Sequence, residues 1–130
     1  MTGIDFLDVE DVIAIHAVGL ARYGGLAGIR DRGALESAVA QPAASFGGQN
    51  LYGDVFEMAA AYAFHIAQNQ PFIDGNKRAG LGSALVFLNL NGIAIVDPEE
   101  KLYDAMIAIA ERRMDKRGLA DLLRQLSRSR

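Results

Sequence analysis

The sequence contains no cysteine and only two histidines among its 130 residues. Without cysteine, the chain can form no disulfide framework, no thiolate zinc site and no cysteine nucleophile. With His16 and His65 as the only imidazoles, a histidine-rich metal site is also disfavoured. Any acid–base chemistry that uses imidazole therefore has to rest on these two side chains.

An excess of basic charge is missing as well. The chain has 13 basic and 16 acidic residues, a net charge of -3, which argues against direct nucleic-acid binding. This average conceals a gradient, because residues 1–110 hold 6 basic and 13 acidic side chains whereas residues 111–130 hold 7 and 3. We expect the basic end to be a solvated helix, and contact with an acidic partner is the alternative.

Long apolar runs are also absent, since no uncharged apolar segment reaches the roughly 18 residues that a membrane span needs. The first residues, MTGIDFLDVEDV, are acidic where a signal peptide would be basic. We therefore expect a cytoplasmic protein that does not contact membranes. With 51% hydrophobic and 22% charged residues, the composition is that of one compact domain spanning residues 1–130.

Apolar residues recur at steps of three and four along most of the chain, which is the period of amphipathic helices. One segment is apolar on nearly all sides, as is typical of a helix surrounded by others. The sequence thus predicts an all-α fold, a single compact bundle of about six helices with a buried central helix at about residues 77–91. The predicted helices lie at about residues 9–23, 33–40, 55–68, 77–91, 98–109 and 119–126.

Three stretches outside the clear helical pattern have weaker signals. Residues 42–53 are rich in turn formers and show no sustained period, so we predict a loop. Residues 93–96 are too few to classify and form either a turn or a lone extended piece. Pro98 suits the first turn of the fifth helix.

The segment most suggestive of chemistry is QPFIDGNKR at residues 70–78, just before the predicted central helix. Gly75 allows a positive φ and a close approach to a ligand, and the helix N-terminus that follows attracts phosphate. The Asn76 amide can donate to phosphate oxygens. Arg78 can bind a terminal phosphate through two parallel hydrogen bonds, and Lys77 adds a point charge.

Two other residues of this segment have distinct predicted roles. Asp74 could hold Mg²⁺, which usually takes one or two carboxylates together with phosphate and water. Phe72 is the aromatic residue of this segment and would be an inward anchor that fixes the loop. The alternative is an ordinary helix start, in which Asp74 offsets the helix dipole while Lys77 and Arg78 are solvated.

The residues PFIDGNKR resemble the signature loop of Fic-domain proteins, His-x-Phe-x-(Asp/Glu)-(Gly/Ala)-Asn followed by a small or basic residue and Arg, and match its Doc-toxin branch. The stretches FLDVEDVIAIHAVGLARYGG and GIRDRGALESAVAQP are similar to the rest of a Doc chain. The resemblance thus covers nearly the whole sequence.

The resemblance implies transfer of a phosphate-containing group from a nucleotide to a hydroxyl on a target protein. AMP-transferring members typically read Gly-Asn-Gly-Arg with a further Arg three residues on, whereas this chain has Lys77 and Leu81 at those two positions. That pattern implies a Doc-like kinase that moves the γ-phosphate of ATP to a threonine of elongation factor Tu. By the same resemblance Asp74 would hold Mg²⁺, and the phosphate ligands would be Gly75, Asn76, Lys77 and Arg78.

One departure from the family pattern is serious, because Gln70 stands where the motif has its general-base histidine. The unperturbed pKa of histidine, about 6.5, suits proton abstraction near neutral pH, whereas an amide cannot carry the proton away. We therefore predict nucleotide binding with little or no transfer. Gln70 is either a substitution that silences a toxin lethal to its host or the natural residue of a degenerate member. The intact remainder of the loop favours the first.

Neither histidine is predicted to replace the missing base. His65 lies five residues before Gln70 in the preceding helix, and His16 lies on an apolar stripe, so we expect both to be structural. Arg30 and Asp31 match the family, although physically they indicate only a helix start.

The resemblance also implies binding partners. Loop 42–53 corresponds to a target-docking flap, which makes Phe46 and Tyr52 candidates for substrate contact. The sequence has no recognisable inhibitory helix, so the resemblance implies a Phd-type antitoxin whose disordered C-terminal segment folds into a groove. The alternatives are a catalytically silent module that binds antitoxin or regulates its operon, and an AMP transferase.

Overall fold

The computed structural model describes residues 3–129 and contains six α-helices within them. The helices are α1 Val9–Tyr23, α2 Arg32–Ala40, α3 Val55–Asn69, α4 Asn76–Leu90, α5 Lys101–Ala110 and α6 Lys116–Leu126. The predicted all-α bundle of about six helices is confirmed. The apolar side chains of the bundle share one core within residues 3–129. The predicted single domain of residues 1–130 stays a prediction. Its range includes Met1, Thr2 and Arg130, which lie outside the described residues.

Helix α3 lies at the centre of the core and packs most extensively against α4. Its alanine-rich sequence leaves room for neighbours to approach closely, and eight of its residues are buried. Gly80 of α4 is required at the crossing, because a Cβ there would lie 2.7 Å from the Ala63 carbonyl oxygen. The predicted buried helix at about residues 77–91 is confirmed along this face, while Val86 and Leu90 remain exposed on the outer face of α4.

Aspartate side chains cap most of the helices. A carboxylate accepts a hydrogen bond from a first-turn backbone N–H of α1, α2, α3 and α6, and the four caps are Asp8, Asp31, Asp54 and Asp115. Asp97 similarly accepts from the N–H groups of Lys101 and Leu102 at the start of α5. Pro98 therefore precedes α5, and its predicted place in the first turn is wrong because the capped helix begins three residues later.

Within residues 3–129, four short strands supplement the helices. Within the predicted loop 42–53, a 3₁₀ turn at Gln41–Ala43 is followed by a hairpin of β1 Ser45–Phe46 and β2 Gln49–Asn50. Gly47 and Gly48 both have positive φ, as the two central residues of a tight hairpin turn require.

The other two strands are β3 Ile93–Ile95 and β4 Ser127–Ser129, which pair antiparallel. Residues 93–96 thus include an extended segment, but it is paired rather than lone, because the end of the chain returns to it. No helix within residues 3–129 has both the length and the apolar character needed to cross a membrane.

Candidate functional site

The loop between α3 and α4 borders a cavity of about 290 Å³, here called the polar cavity. Five of the predicted site residues line it: Gln70, Asp74, Gly75, Asn76 and Lys77. Gln68 and Ala110 contribute to its walls from α3 and from the end of α5. The structure therefore brings together carboxylate, amide and ammonium groups at the start of α4.

The start of α4 is open. Gly75 occupies the N-cap with φ 76°, in the left-handed region that glycine adopts without strain, and no side chain caps the helix. The first backbone N–H groups of a helix have no intrahelical partner. Among the helices of residues 3–129, α4 thus has its positive end free to receive an anion beside the polar cavity.

Asp74 is held at the mouth of the polar cavity by backbone donors. Its Oδ2 accepts from Leu26 N at 3.0 Å, and its Oδ1 accepts from Gly75 N at 2.9 Å. These two hydrogen bonds, reinforced by the charges of Arg78 and His16, lower the pKa of the Asp74 carboxyl below its usual value. The carboxylate is therefore ionised throughout the physiological range.

The donor set suits a metal ion shared with a ligand. Each Asp74 oxygen accepts one hydrogen bond and keeps a lone pair for a cation. Residues 3–129 contain no cluster of three or more metal-binding side chains. A single ionised carboxylate fits Mg²⁺ only when phosphate and water supply the other ligands, which is the usual arrangement for this ion.

Asn76 closes the loop through its side-chain amide. Its Oδ1 accepts from Phe72 N and its Nδ2 donates to Phe72 O, both at 2.9 Å. One Nδ2 hydrogen remains beyond these contacts. The predicted phosphate contact of Asn76 stays a prediction, while its observed role is to fix the shape of the loop.

The loop is also supported from α1. Phe72 is 1% exposed, and its ring stacks on that of His16 with the centroids 3.7 Å apart. His16 Nε2 lies 2.8 Å from Asp74 O, and because a carbonyl only accepts, Nε2 carries the proton. His16 is thus the buried, hydrogen-bonded structural histidine that the apolar stripe predicts.

Arg78 does not line the polar cavity. Its guanidinium lies over the Tyr23 ring, 4.6 Å from the centroid. There it borders a second hollow of about 490 Å³ between α1 and α4, here called the apolar groove. Contact of Arg78 with phosphate stays a prediction. The apolar groove is lined by side chains that include Ile15, Val18, Leu81, Leu85 and Val86.

Gln70 ends α3 in a left-handed conformation, with φ 47° and ψ 55°, and its side chain is exposed. Arg30 donates from Nε to Gln70 O at 2.6 Å and from Nη2 to Asn69 O at 2.8 Å. The backbone N–H groups of Arg30 and Asp31 both donate to Pro71 O. Sequence reasoning identified the Arg-Asp pair but missed these contacts, and no local pattern reveals them because about 40 residues separate the partners.

His65 belongs to a separate cluster against α6. Its Nε2 lies 3.0 Å from Lys116 Nζ, which also donates to the Tyr52 hydroxyl at 2.8 Å. Burial, together with the Lys116 charge, lowers the pKa of His65 to about 4. His65 is therefore neutral near pH 7 and has the structural role that the sequence favours.

The two candidates for substrate contact in loop 42–53 differ in exposure. Phe46, at the hairpin, is 87% exposed and is free to touch a target. Tyr52 is 8% exposed and hydrogen-bonded to Lys116, so its predicted contact with a substrate is wrong. Tyr52 lies in the core, where its hydroxyl links the segment after the hairpin to α6.

Comparison with known proteins gives a consistent result. The model of a family described as the Fic/DOC family matches residues 6–88. The chain is 37% identical over 117 residues to "Protein kinase doc" of Escherichia phage P1, an alignment that covers 90% of this chain and 91% of that protein. It is 34% identical over 118 residues to "Toxin Doc" of Mycolicibacterium smegmatis, covering 89% of this chain and 88% of the relative.

Proposed function

Because the chain belongs to the Fic/DOC family, we propose that it is the toxin of a bacterial toxin–antitoxin module. Its reaction is transfer of the γ-phosphate of ATP to a hydroxyl group of a protein, with elongation factor Tu as the target. The names of the two relatives, a protein kinase and a toxin, support this class of activity.

The observation that carries the proposal is the meeting of an open helix start and an ionised carboxylate at one cavity. The α4 N-terminus presents free N–H groups, and Asp74 lies immediately before it. The start of α4 attracts an anion, and the Asp74 carboxylate attracts a cation. A nucleotide phosphate chain with its metal ion satisfies both at once.

Different residues of the chain would bind the phosphates and the metal ion. The first turn of α4 and the Lys77 ammonium would bind phosphate oxygens, and Asp74 would hold the metal ion. The two hydrogen bonds between the Asn76 side chain and the Phe72 backbone hold these groups in place. The chemistry that Mg²⁺ would supply, when held by Asp74, is neutralisation of charge on the phosphates.

Lys77 favours γ-phosphate transfer over AMP transfer. In the AMP-transferring pattern the corresponding position is glycine, which lets a phosphate approach the bare backbone. Here Lys77 is exposed beside the cavity in the first turn of α4. A lysine at this position would obstruct an α-phosphate approaching the backbone, and its charge suits a terminal phosphate.

Gln70 supports a second candidate function for this chain, as a catalytically silent module that binds nucleotide and antitoxin. Residue 70 lines the polar cavity, where a general base would face the target hydroxyl. An amide there can accept a hydrogen bond but cannot retain the proton. The chain with Gln70 therefore binds ATP and transfers little phosphate.

The apolar groove is the proposed site for a Phd-type antitoxin. Apolar side chains line it, and Arg22 and Arg78 lie at its border. This surface suits an amphipathic segment that presents apolar residues to the groove and acidic residues to the arginines. Such a segment can be disordered until it binds.

Labelled ATP tests the proposal directly. The chain and its Gln70→His variant are incubated with elongation factor Tu, Mg²⁺ and ATP labelled at either the γ- or the α-phosphate. We expect label to pass from γ-labelled ATP with the Gln70→His variant and only weakly with the original chain. Transfer of the α-label would establish AMP transfer instead, and no transfer by the variant despite ATP binding would overturn the kinase proposal.

A further inference from the structure

The end of α3 has an unusual backbone conformation for the residue that occupies it. Gln70 is one of three non-glycine residues with positive φ within residues 3–129. A residue with a Cβ adopts this left-handed region at a cost, so contacts around it have to favour it. Because this backbone sets where the side chain of residue 70 leaves the helix, what stabilises it bears on the site.

The side chain of Arg30 binds the backbone at this point. The last carbonyls of a helix have no intrahelical partner, and here the guanidinium of Arg30 donates to those of Asn69 and Gln70. The planar fork of arginine can serve two acceptors at once, and its positive charge suits a helix C-terminus.

The position of Arg30 is itself fixed. Its backbone N–H donates to Pro71 O at 2.7 Å, and the neighbouring Asp31 caps α2. From the other side, Asn69 Nδ2 donates to Ala34 O at 3.0 Å. The start of α2 and the end of α3 are therefore joined by backbone as well as by side-chain contacts.

We propose that Arg30 is a positioning residue for position 70: by binding the carbonyls of residues 69 and 70, it holds the left-handed turn that directs the side chain of residue 70 into the polar cavity. The inference rests on the proposed function for its catalytic consequence, though not for its structural one. The backbone bonds to Pro71 do not involve the guanidinium. Removal of the Arg30 side chain should therefore disturb position 70 while the loop stays docked.

The structural consequence is tested in the chain as it stands. We compare the original chain with Arg30→Met and Arg30→Lys by NMR, using the Cα and Cβ shifts and the HN–Hα coupling of Gln70. Arg32→Met is the matched control, because Arg32 is also exposed and binds Glu10 rather than the end of α3. We expect the Gln70 signals to move in Arg30→Met, to move less in Arg30→Lys, and to stay in place in the control. Unchanged signals in Arg30→Met would overturn the inference.

The catalytic consequence is tested in the Gln70→His background. A misplacement of about 1 Å can cost about 100-fold in rate, so Arg30→Met should lower kcat by about that factor while the Kd for MgATP changes less than about twofold. An unchanged kcat, or a parallel loss of kcat and MgATP affinity, would overturn the positioning role. If Gln70→His alone transfers no phosphate, the proposed function fails, and the NMR comparison still decides the inference about Arg30.

Discussion

The polar cavity and the apolar groove lie on either side of the start of α4 and share Gly75 as a lining residue. Lys77 lines the polar cavity, whereas the adjacent Arg78 lies over Tyr23 at the groove. Consecutive residues of a helix project about 100° apart, so neighbouring cations can serve different surfaces. The two surfaces therefore offer separate places for the proposed nucleotide chemistry and the proposed partner binding.

The largest expected effect is confined to the polar cavity. Replacing Gln70 with histidine supplies the imidazole proposed to act as general base, and general bases typically contribute about 10²–10⁴-fold in rate. We expect the Gln70→His variant to phosphorylate elongation factor Tu faster by a factor in that range and to arrest growth when expressed. Initial rates with labelled ATP measure the gain.

The matched control for this gain is Gln68→His, which places an imidazole elsewhere on the wall of the same cavity. It should not raise the rate, because only position 70 corresponds to the motif base. Equal gains from both variants would show that any imidazole in the cavity suffices and would remove the support for a positioned base.

The next largest effect is expected on MgATP affinity when the ionised carboxylate of Asp74 is removed. We expect Asp74→Asn to weaken MgATP binding by about tenfold or more, equivalent to about 1.4 kcal/mol, because the amide is a poor ligand for Mg²⁺. Isothermal titration measures the loss. Asp104→Asn, on the exposed face of α5, is the control and should bind normally.

The pH profile of MgATP binding adds a second test of Asp74. Backbone hydrogen bonds lower the pKa of Asp74, so its charge is retained as the pH falls. Its contribution to affinity should therefore stay constant between about pH 8 and about pH 5. A marked loss of that contribution at the acidic end would contradict an Asp74 stabilised as the carboxylate.

Periodicity and local composition predict much of this arrangement. The helices follow from apolar spacing, and the proposed chemistry of residues 70–78 rests on residue types known to bind phosphate and Mg²⁺. What could not be predicted depends on contacts between distant residues. The direction of Arg78 depends on Tyr23, the burial of Tyr52 depends on Lys116, and β3 pairs with a strand more than 30 residues away.

A smaller effect, on antitoxin binding, is expected at the apolar groove. Val86 is 39% exposed in the apolar groove, so Val86→Glu should leave the fold intact while placing a charge where apolar surface has to be buried. We expect binding of the proposed Phd-type antitoxin to weaken by about tenfold, with no change in MgATP affinity. Val96, 47% exposed and outside the groove, provides the control Val96→Glu. Equal losses from both valines would contradict the groove as the binding site.

The smallest effect comes from His65, which belongs to neither surface. The unfolded imidazole titrates near pH 6.5 and the folded one at about pH 4, so the unfolded state binds more protons between these values and stability falls as the pH drops. Because the half-buried ring is partly solvated, we expect a loss of about 1 kcal/mol over this range. Denaturant unfolding at several pH values should show that His65→Gln removes this part of the slope.

In the Gln70→His background, the same substitution should leave the transfer rate unchanged, because the imidazole of His65 binds Lys116 rather than facing the polar cavity. A loss of rate would instead make His65 part of the proton path and would break the separation between the site and the surrounding fold.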